Sequence, residues 1–210
     1  MDALASIKKY KIISIIRGLD KNTVLEAVKA LIEGGVKNIE VTLNSPSALK
    51  SIEKIREQYE GQVAIGAGTV LDATTAREAI LAGADFILAP SVNLATIEMA
   101  KKYGKVSIPG ALSATEILTA FEHGADIVKV FPAMSPSYIK DIRGPLPQIP
   151  LLPTGGVSID NAPEFLKVGA FGLGIGSAIV NSKEKMNSQT YDQIVKRAQS
   201  FMGLIERKED

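Results

Sequence analysis

The 210-residue sequence predicts an α/β protein folded as a single (β/α)8 TIM barrel domain over residues 1–210, and three observations carry that reading. A unit of helix, glycine, one or two residues and apolar strand recurs along the chain, as "GGVKNIEVT", "AGADFILAP", "HGADIVKVF" and "VGAFGLGIG". Strands this short and this apolar have no wet face, so they require parallel pairing under covering helices. Eight such strands are each followed by a helical segment, the count that closes a barrel. A doubly wound open sheet is the structural alternative, but no Gly-x-Gly-x-x-Gly turn follows the first strand.

The elements follow in order. A short amphipathic helix at about 2–9 precedes the first strand, 12–16, which ends in Arg17-Gly18. From about Asn22 to Glu33 the residues Val24, Leu25, Val28, Leu31 and Ile32 line one helical face, and Gly34-Gly35 stops it. Strand 39–43 leads into "NSPS", which starts a helix running to Tyr59 and closed by Gly61. Strand 63–69 ends in "GAGT", and a helix at about 73–81 stops at Gly83. Strand 85–89 ends at Pro90, and a helix at about 94–103 stops at Gly104. Strand 106–108 ends at Pro109-Gly110 and gives way to a helix at 113–122. The next strand is Asp126-Ile127-Val128-Lys129-Val130-Phe131, closed by Pro132. A less regular helix at about 136–142 leads to strand 150–153 and "TGG". A helix at 160–168, a strand at 171–175 ending in Gly176-Ser177, and an amphipathic helix at about 191–205 finish the chain.

Composition excludes several function classes. The formal net charge of +1 gives no electrostatic case for nucleic acid or an anionic membrane. With no cysteine there is no disulfide framework and no zinc–thiolate site. No carboxylate–histidine cluster has metal-ligand spacing, so a metal site is not expected. Serines 45, 113 and 177 lack a histidine partner, which argues against a serine hydrolase. The lone His123 precedes Gly124 at a helix end, where it complements the helix dipole. The N-terminus reads as no signal peptide and no apolar run reaches bilayer length, so a soluble, cytoplasmic protein is expected.

Lys129 stands alone in an apolar strand, where no water is available to an ammonium group. Either it snorkels from an edge strand, or it is a desolvated amine with a lowered pKa, available as a nucleophile. Period-two alternation puts Ile39, Val41 and Leu43 against the helices and turns Glu40, Thr42 and Asn44 inward. By the same rule Ile127, Lys129 and Phe131 face inward, so a glutamate and a lysine meet inside the barrel, as a catalytic pair or a buried structural ion pair. Arg17 ends the first strand, either as a clamp for a carboxylate or phosphate or as a surface residue of the loop. Thr69 follows Gly66, Ala67 and Gly68, small residues that let backbone approach a ligand. Thr154-Gly155-Gly156 and Gly174-Ile175-Gly176-Ser177, at the ends of the last two strands, read as a phosphate cradle.

Together the motifs resemble the KHG/KDPG aldolase family, class I lyases acting on 2-keto-3-deoxy-6-phosphogluconate and 4-hydroxy-2-oxoglutarate. "EVTL" at 40–43, "GAGTV" at 66–70, "IPG" at 108–110, "KVFP" at 129–132 and "PTGG" at 153–156 stand in the family's order and spacing across nearly the whole chain. The resemblance implies that Lys129 forms a Schiff base and Glu40 shuttles protons. It implies that Thr69, Pro90 and Thr154 contact substrate beside Phe131, and that Gly155, Gly156, Gly176 and Ser177 bind phosphate. It further implies a homotrimer, pyruvate and a phosphorylated keto acid as ligands, and no cofactor. Where many relatives carry an arginine after "EVTL", this chain has Asn44. "IIRG" at 15–18 with "LNSP" at 43–46 is similar to the 2-keto-3-deoxy-6-phosphogalactonate aldolase branch, with Arg17 taking over anion binding. A phosphosugar epimerase, or a phosphate-binding barrel without catalysis, are the rival readings.

Overall fold

In the computed structural model, residues 2–206 are described; residue 1 and residues 207–210 of the expected domain lie outside the described residues. Helix α1 (Ala3–Tyr10) is N-capped by Asp2, whose carboxylate accepts the Ala5 N–H. Its buried face, Ala3 and Ile7, joins an inner core with Ile13, Phe86, Ile108 and Leu152. The Ser6 hydroxyl donates to Asn38 Oδ1 at 2.6 Å, and Asn38 Nδ2 donates to the Ile12 carbonyl at 3.0 Å. A fully buried asparagine is thus satisfied, and α1 is fastened across the start of the sheet.

Strands β1 (Ile12–Ile16), β2 (Asn38–Thr42), β3 (Ala64–Gly68), β4 (Phe86–Leu88) and β5 (Val106–Ile108) run in parallel order outward from β1. On the other side of β1 lies β9 (Leu173–Ile175), making six strands, while β6 (Gly110–Ala111), β7 (Val128–Val130) and β8 (Leu151–Pro153) form a second parallel sheet of three. The two arcs meet at both ends. The Asp126 N–H donates to Ser107 O at 3.0 Å, and the Lys129 N–H to Pro109 O at 2.9 Å. At the far side Phe171 N–H donates to Leu151 O at 2.8 Å and Thr154 bridges Gly174. The result is an α/β fold on a curled parallel sheet.

The expected fifth strand, 106–108, is followed by a second short pairing segment that sequence did not suggest. Pro109 has no N–H for the ladder, so the chain leaves β4 there and resumes as β6 beside β7. Gly110 is required at that crossing, because a Cβ would collide with the Pro90 carbonyl group. The expected lysine strand contracts to Val128–Val130, since Asp126 turns aside to accept the Ser107 N–H and pair with Lys101.

Helices α2 (Thr23–Glu33), α3 (Ala48–Tyr59), α4 (Ala73–Leu81), α5 (Leu94–Lys102), α6 (Ala114–Glu122), α7 (Pro136–Arg143), α8 (Ala162–Lys167) and α9 (Ser188–Glu206) follow successive strand units. Helix α8 starts later than the expected 160, because Ser158–Asn161 form a side-chain-bonded turn before Pro163. Helix α9 starts earlier than 191, where Asn187 accepts the Thr190 N–H. His123 caps α6 with Nδ1 2.7 Å from Thr119 O, the structural role expected of it. Alternate strand residues such as Ile39, Val41, Ile65 and Val128 meet the helices in an outer core. No helix among the described residues is long and apolar enough to cross a membrane.

Candidate active site

Strand β7 sets Lys129 between Gly110 and Leu152 in register, with its backbone held on both sides. The side chain points away from the helices and is 3% exposed, so it does not snorkel from an edge. Its Nζ lies 4.7 Å from the centroid of the Phe131 ring. Burial holds the lysine below its ordinary pKa; the nearby Glu40 carboxylate opposes this, and the Arg17 guanidinium adds to the lowering.

Glu40 sits on β2 opposite Ile15 and Gly66, and is 1% exposed. Burial raises its pKa, against the pull of Lys129 first and Arg17 second. Its Oε2 is buried without a hydrogen-bond partner. A buried carboxylate oxygen in that position is costly unless protonated or met by a ligand. Desolvation is the leading cause in both groups, so burial lowers the amine's pKa and raises the carboxyl's, drawing the two toward each other. That combination suits nucleophilic attack and proton transfer.

Room for Glu40 comes from a glycine. A Cβ on Gly68 would overlap Glu40 Oε1, and one on Gly66 would overlap the Phe86 ring. The small residues of "GAGT", read from sequence as leaving space for a ligand, leave it for these two side chains instead. In the same way Gly174 seats the Thr154 hydroxyl, and Gly155 seats the Phe131 ring, which a Cβ there would meet at 3.0 Å.

Above Lys129 opens a cavity of about 280 Å³. Ile15 and Arg17 line it from β1 and its following loop, Lys129 from β7 and Phe131 just after it, and Thr154 and Gly155 from the turn after β8. Gly176, Ser177, Val180 and Ser182 close the far wall. Arg17 is exposed, yet it reaches the cavity and acts electrostatically on both Lys129 and Glu40. Glu40, buried behind the wall, and Asn44, Thr69, Pro90 and Gly156 are not among the lining residues. Asn44 lies in the turn after β2, which ends at Thr42, so the inward alternation stops before reaching it. Thr69 is half-buried with a φ of 59°, a conformation a β-branched residue adopts only under surrounding constraint. Pro90 abuts Gly110, and the Gly156 carbonyl accepts Asn161 Nδ2.

Sequence reasoning missed Ile15, Val180 and Ser182. Ile15 shares the inward parity of Arg17 and was available by that rule; the other two lie past the last strand, where no periodicity points anywhere.

The geometry has counterparts. The family model of KDPG and KHG aldolase matches residues 4–197. The chain belongs to the KDPG and KHG aldolase family. It is 34% identical over 197 residues to the 2-dehydro-3-deoxy-6-phosphogalactonate aldolase of Escherichia coli, covering 92% of this chain and 94% of that one. It is 37% identical over 148 residues to the 2-dehydro-3-deoxy-phosphogluconate aldolase of Pseudomonas aeruginosa, covering 69% and 67%. A solved structure of KDPG aldolase from Legionella pneumophila, with pyruvate captured at low pH as a covalent carbinolamine intermediate, superposes with a TM-score of 0.85. That match has 27% identity and covers 95% of this chain and 97% of the other. The chain is therefore a KDPG/KHG-type aldolase, and the epimerase and non-catalytic readings fall away.

Proposed function

We propose that this aldolase cleaves a 2-keto-3-deoxy-6-phospho sugar acid, or 4-hydroxy-2-oxoglutarate, through an imine on Lys129. The supporting observation is a buried Lys129 on the cavity wall with a buried Glu40 in electrostatic reach of it, each group biased by burial toward its neutral form. The neutral Nζ attacks the C2 ketone to give a carbinolamine. Glu40, as the acid, protonates the hydroxyl that leaves as water, and a protonated imine results. Glu40, now a carboxylate, takes the C4 hydroxyl proton directly or through water. The C3–C4 bond breaks with its electron pair drawn to the iminium nitrogen, leaving an enamine and an aldehyde. Proton return to C3 and hydrolysis then free pyruvate; the aldehyde is glyceraldehyde 3-phosphate or glyoxylate. Arg17 holds the substrate carboxylate, with Thr154 and Phe131 beside the reacting carbons. Gly155, Gly156, Gly176 and Ser177 receive the phosphate, and Asn44, Thr69 and Pro90 complete the substrate-binding set from around the cavity. A closed (β/α)8 barrel underlies this reading, with β5 and β6 counted as one strand interrupted at Pro109. A cytoplasmic homotrimer, as the resemblance implies, belongs to the same proposal.

Borohydride reduction in the presence of pyruvate tests the chemistry. The expected result is a covalent adduct on the peptide carrying Lys129; no adduct, or one elsewhere, overturns it. A second reading, the galactonate-derived epimer as substrate, is favoured by Arg17 on the cavity and Asn44 away from it. Cleavage assays on the two C4-epimeric phosphates decide, with the galactonate-derived compound expected to react at least as fast. A strict preference for the gluconate epimer would remove this second reading.

Arg17→Ala is expected to raise the half-saturating pyruvate concentration for trapping by roughly 10- to 100-fold, the loss of one charge-assisted bond. The residue is exposed, so thermal stability should barely move. Wild-type saturation in this variant would mean the carboxylate is held elsewhere.

A further inference from the structure

We infer that Ser45 is a positioning residue for Arg17, an inference that rests on reading Arg17 as the carboxylate clamp. An arginine on the rim of a cavity is long and mobile, and as an exposed side chain it owes its placement to its backbone. That backbone is tied down across the strands. The N–H of Gly18, the amide that follows Arg17, donates to Ser45 Oγ at 2.8 Å over a separation of 27 residues. Ser45 Oγ also lies 2.9 Å from Thr42 Oγ1, with one hydroxyl donating to the other. Thr42 is fully buried on β2, two residues after Glu40, so the chain of contacts is anchored in the same strand that carries the proton shuttle.

Each link has a local cause. Ser45 is 8% exposed because the turn after β2 doubles back, its N–H donating to Thr42 O at 2.9 Å. Gly18 takes a φ of 74°, open to glycine at little cost, and a Cβ there would face Ser182 at 3.7 Å. Loss of the Ser45 hydroxyl would free the Arg17–Gly18 peptide to rotate, and the guanidinium would leave its station over Lys129 and Glu40. The tie between loop and strand thus sets where the substrate carboxylate is received.

The test is a double-mutant cycle read by pyruvate trapping. Ser45→Ala should raise half-saturation roughly tenfold, with the limiting rate within about twofold. In an Arg17→Ala background the same change should cost less than about twofold. A second readout follows from electrostatics. Arg17 lowers the Lys129 pKa, so displacing it should move the acid limb of trapping to higher pH in Ser45→Ala, as in Arg17→Ala. Thr42→Val, which removes the other hydroxyl, should move both readouts the same way by less. Additive effects in the cycle, or an unmoved acid limb, overturn the inference. If Arg17→Ala itself behaves as wild type, the clamp reading fails; if it is impaired while Ser45→Ala is silent, the positioning role alone fails.

Discussion

Lys129→Ala lowers cleavage by on the order of 10³-fold or more and yields no borohydride adduct with pyruvate. The fold survives, because β7 is held by backbone bonds to Pro109 O and Pro150 O that do not involve the amine. A more exacting companion is Lys129→Met, which keeps an unbranched apolar stem in the same slot. Burial lowers the lysine pKa, so between that lowered value and the ordinary lysine range the unfolded chain binds more protons than the folded one. By linkage, that group costs stability below the ordinary lysine range, and the cost is relieved as pH rises from the lowered folded value to the ordinary one. The methionine variant should therefore melt at the same or a higher temperature than the wild type at neutral pH, with the difference shrinking in alkali. A variant that keeps more than a few per cent of activity would sink the Schiff-base assignment. One that unfolds instead would show that the lysine holds the structure together, as a buried ion pair does.

Much of this site was legible because strands alternate and the alternation needs no tertiary information. Ile39 and Val41 packed outward, Glu40 and Lys129 inward, as their positions required. The rule failed where extended backbone ends. Asn44 shares the parity of Glu40 on paper, but the chain has already turned after Thr42, and the side chain from that turn that reaches the first strand's loop is Ser45, through the Gly18 N–H. Glycines misled for a different reason. A glycine announces that something comes close, and whether that is a ligand, the Glu40 carboxylate or the Phe86 ring depends on a strand far away in sequence. The break of the fifth strand at Pro109 was half visible: proline ended the ladder as expected, and only the fold shows that pairing resumes one residue later on the other arc.

Glu40→Gln separates the two jobs assigned to the carboxyl group. As acid and base, it contributes roughly 10²- to 10⁴-fold, so turnover should fall by that much while the side-chain shape is kept. Imine formation should persist at a reduced rate, since the nucleophile is intact and water can supply protons. The electrostatic consequence is opposite in sign to that of losing Arg17. Negative charge on Glu40 raises the Lys129 pKa, and glutamine removes that charge. The lysine pKa then falls further, the neutral amine persists to lower pH, and the acid limb of pyruvate trapping shifts downward. Arg17→Ala removes a cation that lowers the same pKa, so its limb shifts upward. Measuring trapping rate against pH in the wild type and both variants places three curves in a fixed order, with Glu40→Gln at the acid side and Arg17→Ala at the alkaline side. An upward shift in Glu40→Gln would contradict the assigned charges. An unmoved limb would mean that Glu40 carries no charge while Lys129 titrates, and unchanged turnover would reduce it to a structural neighbour of the lysine.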